Sequence, residues 1–156
     1  MGAGIDGAVD VAELVRHAVA VIVATRDADL RPELSRAWGP SLSEDGGRLT
    51  LCVEAAPGST MARNLEPRSP VAATLARLTS QTTLQLKGWT TEAGPPTPER
   101  LDAVDEHIAG FLAEIAKVGV PEAHARALIG TGLMAVTIEV AECFDETPGP
   151  GAGRHL

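Results

Sequence analysis

The chain contains no tyrosine, only two tryptophans and two phenylalanines, and two cysteines in 156 residues. The lack of tyrosine excludes a tyrosine-based proton donor or radical relay. Basic residues are also in deficit: 13 Lys and Arg stand against 21 Asp and Glu, a formal net charge of −8 at pH 7. Nucleic acid and anionic membranes both require clustered cations, so neither is expected as the main partner. Scattered arginines still leave room for a local cationic pocket. The apolar run 18–24 is too short to span a bilayer, and no basic segment precedes it as in a signal peptide. The expected location is the cytoplasm. Cys52 and Cys143 both fall in strand-like runs and read as small buried residues, not as a disulfide or ligand pair.

Chemistry is equally sparse. The histidines are His17, His107, His124 and His155, with no i, i+4 pair and no metal-like spacing to a cysteine. No metal site is expected. A G-x-S-x-G elbow and a P-loop are both missing, so acyl-transfer and P-loop readings have nothing to rest on. His107 is read as lying off the apolar stripe of its helix.

What is present is a globular composition, 44% hydrophobic, with the length for one domain and a core. After a Gly-rich start over residues 1–7, apolar spacing predicts a helix over 9–18. Strands are expected over 19–25, 33–42, 48–54, 71–78, 82–90 and 134–140. Turn chemistry at Arg26-Asp27-Ala28-Asp29 and Glu44-Asp45-Gly46-Gly47 separates the first three. Short consecutive strands and hairpin turns suggest a sheet that closes on itself and so removes its edges. Two helices interrupt the pattern. The first, 97–117, carries Leu101, Val104, Ile108, Phe111, Leu112 and Ile115 on one stripe behind Pro98; the second is 121–129. A Pro/Gly-rich tail from about 147 is expected to be flexible. The fold class is mainly β with helices: one domain over 1–156, a six-stranded antiparallel barrel with helices inserted before its last strand.

The stretch 57–65, Pro-Gly-Ser-Thr-Met-Ala-Arg-Asn-Leu, stands out between two strands. Gly58 permits a sharp turn, and Ser59 or Thr60 can cap a short helix. The free N–H groups at such a helix start, with Arg63 one turn in, can hold an anion. A capped surface helix with a solvated arginine explains the same residues more plainly. Trp38 and Trp89 are read as packing residues before ligand platforms. The polar run 79–83, Thr-Ser-Gln-Thr-Thr, is either a turn or a polar wall for a heterocycle or phosphate.

Taken in order, the Ser-Arg-Ala-Trp strand 35–38, Leu51-Cys52-Val53 leading into Gly58–Leu65, Pro70-Val71-Ala72 and Thr82-Thr83-Leu84-Gln85-Leu86-Lys87-Gly88 resemble the pyridoxamine 5′-phosphate oxidase-like FMN-binding split-barrel family. The closing Phe144-Asp145-Glu146-Thr147-Pro148 is similar to an ending seen in some members. The resemblance covers roughly residues 8–145. It implies a homodimer with FMN at the subunit interface and redox chemistry on a small-molecule substrate. It also implies a phosphate held by Ser59, Thr60 and Arg63. Arg36, Ala37, Trp38 and Val53 would line the ring and ribityl region, with Thr82 and Thr83 added from the next strand. The basic pair that often follows the phosphate-binding Ser is here Thr60-Met61, and the C-terminal Trp-and-Arg substrate motif of true pyridoxamine phosphate oxidases is missing. Oxidation of pyridoxamine phosphate is therefore not expected. Relatives of this fold bind F420 or haem instead, or have lost the cofactor, so a carrier without turnover and a cofactor-free dimer stand as alternatives.

Overall fold

The computed structural model describes residues 10–156. The loose start expected over 1–7, and position 9 of the expected first helix, lie outside them. The described elements are α1 (Val11–Arg16), β1 (Ala20–Arg26), β2 (Pro32–Leu42), β3 (Arg48–Glu54), α2 (Thr60–Asn64), β4 (Pro70–Ala76), β5 (Thr83–Gly94), α3 (Pro98–Lys117), α4 (Glu122–Arg126), β6 (Leu133–Asp145) and β7 (Arg154–His155). Six strands run in the order β3-β2-β1-β4-β5-β6, and β6 pairs back onto β3 to close an antiparallel barrel. The helices α3 and α4 separate β5 from β6, so the expected architecture is the observed one.

Alternation sorts the strand residues into two cores. Val21 and Val23, Leu49, Leu51 and Val53, Val71, Ala73 and Leu75, and Leu84 and Leu86 point inward and fill the barrel. Outside it, Trp38 and Cys52 pack with Val104, Phe111 and Ile115 of α3 and Ala125 of α4. The inserted helices therefore cover the outer face of the chain's own barrel. Thr97 caps α3, accepting from the Arg100 amide, and Pro98 occupies its first turn. The helix can approach β2 closely because Gly39, at φ +61°, has no side chain; a Cβ there would lie 3.0 Å from the Val104 amide nitrogen.

That close approach corrects two readings. The buried stripe of α3 is Val104, His107, Phe111 and Ile115, while Leu101 is 42% exposed. His107 was expected off the stripe. It is buried because the irregular pairing of β2 between Trp38 and Ser41 puts a backbone amide within reach of its ring. Trp89, expected to pack, is 51% exposed. Strands β5 and β6 also run well past their expected ends, paired from Leu84↔Asp145 to Gly94↔Ala135. Two register shifts, at Lys87/Gly88 and Thr90/Glu92, break the alternation that would have announced that length.

The Pro/Gly-rich residues 148–153 form turns, and the chain then returns as β7 against Phe144 and Asp145, a seventh strand not expected. The Leu156 amide donates to the Cys143 carbonyl at 2.9 Å. No described helix is long and apolar enough to cross a membrane.

Candidate functional site

The turn after β3 forms as its residues dictate. Gly58 takes φ +78°, and the Ser59 hydroxyl caps α2 by accepting from the Ala62 amide at 3.1 Å. The amides of Thr60 and Met61 occupy the first two helical positions and have no partner within the helix. Arg63, exposed, folds back over this start: Nη1 donates to the Gly58 carbonyl at 2.5 Å and Nη2 to the Thr60 hydroxyl at 3.0 Å. Among the described residues its remaining N–H groups have no partner. The inner side of α2 is fastened to β1, since Asn64 donates to the Thr25 hydroxyl at 3.2 Å and that hydroxyl reaches the Met61 sulfur at 3.5 Å.

Residues 55–58 connect this donor cluster to an open cavity of about 440 Å³ on the outer face of the barrel. Ile22, Leu34, Ala127 and Leu128 give it apolar walls, and Arg36 and Glu54 give it one cation and one anion. Among the described residues the Arg36 guanidinium has no carboxylate within 4.0 Å. Glu54 Oε1 accepts from Trp38 Nε1 at 2.7 Å and from the Gly130 amide at 2.8 Å. The carboxylate thus ties the loop after α4 to the barrel wall.

The sequence-predicted residues divide accordingly. Arg36 lines the cavity, while Ser59, Thr60 and Arg63 form the turn that follows Glu54 along the chain and are not among its walls. Ala37 and Val53 face each other in register inside the barrel, 1% and 0% exposed. Trp38 lies in the outer core, edge-on to Phe111 at 5.2 Å, and touches the cavity through Glu54. Thr82 and Thr83 are elsewhere. Thr83 opens β5 opposite Ala76, which pairs with Ala20 at the start of β1. Since α2 is fastened to Thr25 near the other end of β1, roughly 17 Å of strand separates the two groups. One chain alone does not bring them together.

Glu54 was missed by sequence reasoning. Its only signal was an acidic residue closing an apolar strand just before the turn. Burial raises both thiol pKa values, and the side chain of Cys52 is sealed in the outer core. No group of three or more His, Cys, Asp or Glu able to hold a metal occurs among the described residues.

No family model and no curated protein sequence matches this chain. Solved structures do. HupZ of Group A Streptococcus superimposes with a TM-score of 0.53 at 15% identity, over 91% of this chain and 95% of that one. An F420 reductase gives 0.57 at 14% identity, over 84% and 93%. A pyridoxamine 5′-phosphate oxidase candidate from Lactobacillus delbrueckii gives 0.52 at 15% identity, over 91% and 97%. At such identities the likeness is one of fold.

Proposed function

From the split-barrel fold that this chain shares with pyridoxamine 5′-phosphate oxidase-like proteins, we propose that it is a homodimeric FMN-dependent oxidoreductase acting on a small organic molecule. The observation that carries the reading is that two complementary halves are joined by only four residues, 55–58. A cluster of free amides, a hydroxyl and a guanidinium at 58–63 suits a dianionic phosphate. The apolar-walled cavity, with Arg36 on its rim, suits a planar ring.

FMN, when bound, supplies the electron and hydride transfer itself. The protein's part is to hold and shield. Thr60, Met61 and Arg63 would anchor the phosphate, and Ile22, Leu34 and Leu128 would exclude water from the ring. The remote position of Thr82 and Thr83 supports a dimeric site. A two-fold partner packed on the outer face of β1 and β4 could carry its own Thr82 and Thr83 toward this chain's cavity. That face is built for close contact, with Ala24 beside Ala72 and Ile22 beside Thr74 in register.

A second reading is a binder of F420, a deazaflavin, with or without turnover; the likeness to an F420 reductase supports it. Haem is less well served, because no His or Cys lies among the cavity walls to ligate iron. The visible spectrum of protein purified without added cofactor tests these readings. A flavin spectrum, or its appearance on adding FMN, is the expected result. A Soret band, a bound deazaflavin, or colourless protein indifferent to FMN would overturn the first reading.

A further inference from the structure

Glu54 is held by one oxygen and free at the other. Oε1 takes both hydrogen bonds, from Trp38 and Gly130, while Oε2 has no partner among the described residues. Gly130 leaves room for it, since a Cβ at that position would lie 2.5 Å from Oε2. Two donors on Oε1 fix the side chain, so the second oxygen is presented without further loss of rotamer freedom. Arg36 lines the same cavity, equally without an ionic partner. A cation and an anion that share a cavity and leave each other unpaired match a ligand edge carrying both an acceptor and a donor.

Resting on the flavin reading above, we infer that Glu54 is the specificity-determining residue of this cavity. Its Oε2 accepts the N–H of a heterocyclic imide, and Arg36 donates to the carbonyl beside it. An imide edge is present in flavin and deazaflavin rings. A metallated tetrapyrrole has no N–H to offer. A purely anionic ligand would satisfy Arg36 but meet the Glu54 charge head on. The carboxylate thus selects the class of ring, while Arg63 and its neighbours recognise only a phosphate.

The test pairs one substitution with one modified ligand. In Glu54→Gln the amide oxygen must keep the Trp38 and Gly130 donors, so its NH₂ takes the place of Oε2 and faces the imide N–H as a second donor. FMN and 3-methyl-FMN, which lacks that N–H, are titrated into wild type and variant by quenching of flavin fluorescence, with Tm as a structural control. Wild type is expected to prefer FMN over 3-methyl-FMN by tenfold or more, the span of a lost hydrogen bond to a charged group. The variant is expected to keep its Tm, to lose about tenfold in FMN affinity, and to show no such preference. Equal binding of the two flavins by wild type, or FMN binding unchanged in a folded variant, overturns the inference and leaves the flavin reading standing. If the variant fails to fold, the wild-type comparison decides alone. Wild type that binds neither flavin overturns both.

Discussion

His107 Nδ1 accepts the amide hydrogen of Gly39 at 3.1 Å, across the contact between α3 and β2. The other ring nitrogen lies 2.9 Å from the Val19 carbonyl, so the ring is neutral, with its proton on Nε2. Burial holds its pKa at about 4, against 6.5 for a free histidine. As pH falls through this interval the unfolded chain takes up a proton that the folded chain refuses. The contribution is complete above the unfolded pKa and is lost downward, by roughly 3 kcal/mol in all. Urea midpoints measured from about pH 7.5 to about pH 4 should fall along that course. A His107→Leu variant should lose this component of the pH dependence and start about 1–3 kcal/mol less stable at neutral pH, with the Gly39 amide left unsatisfied.

Gly88 should tolerate nothing larger. It sits at the register shift where β5 crosses β6, and a Cβ would stand 1.8 Å from the Glu139 carbonyl oxygen. Gly88→Ala is expected to cost about 3 kcal/mol or more, because backbone and not a side-chain tip must move. Gly94→Ala, with nothing within 4 Å of the added carbon, is the control and should lie within about 0.5 kcal/mol of wild type. Thermal midpoints of the pair measure the difference.

Arg63 makes its contacts at the exposed start of α2, so its loss should register in binding and not in stability. Arg63→Ala is expected to weaken FMN binding by about 1.5–3 kcal/mol, the usual cost of a charged hydrogen bond. Its Tm should stay near that of wild type. Equal FMN affinity in fluorescence titration would remove Arg63 from the phosphate role.

Ala72 lies at the middle of the outer face proposed to meet a partner, beside Ala24 on one side and Lys87 on the other. Ala72→Arg should turn a dimeric species into a monomer in sedimentation velocity without changing the circular dichroism. FMN affinity should fall with the dimer. A variant that remains dimeric, or a monomer that still binds FMN fully, would remove this face from the site.

How much of this was readable beforehand depended on how local each signal was. The compact Val- and Ile-rich run Val19-Ala20-Val21-Ile22-Val23 was placed as a strand within a residue or two. The 57–65 turn was legible as a capped helix because Gly58 and Ser59 each act on their own backbone. Glu54 was not legible, since its partners Trp38 and Gly130 stand 16 and 76 positions away. His107 failed for the same reason: helical spacing shows which residues share a face but not where a strand offers a stray amide. Trp38 was expected to be a packing residue from its chemistry, but the core it packs in exists only once α3 is folded over β2. The distance between Thr83 and α2 is a matter of topology, and motif order along a chain carries no information about it.

The insertion of α3 and α4 between β5 and β6 also governs how the barrel comes together in time. The hairpins β1–β2–β3 and β4–β5 join neighbours close in sequence, whereas the β3–β6 seam must wait for two helices to be made and folded back. Loop-closure entropy makes such a seam the late step of folding. Until it closes, β3 and β6 each carry an unpaired edge of apolar residues such as Leu49, Leu51, Val136 and Ile138. Aggregation during refolding should therefore track these two edges, and conditions that favour α3 should suppress it by shortening their exposure.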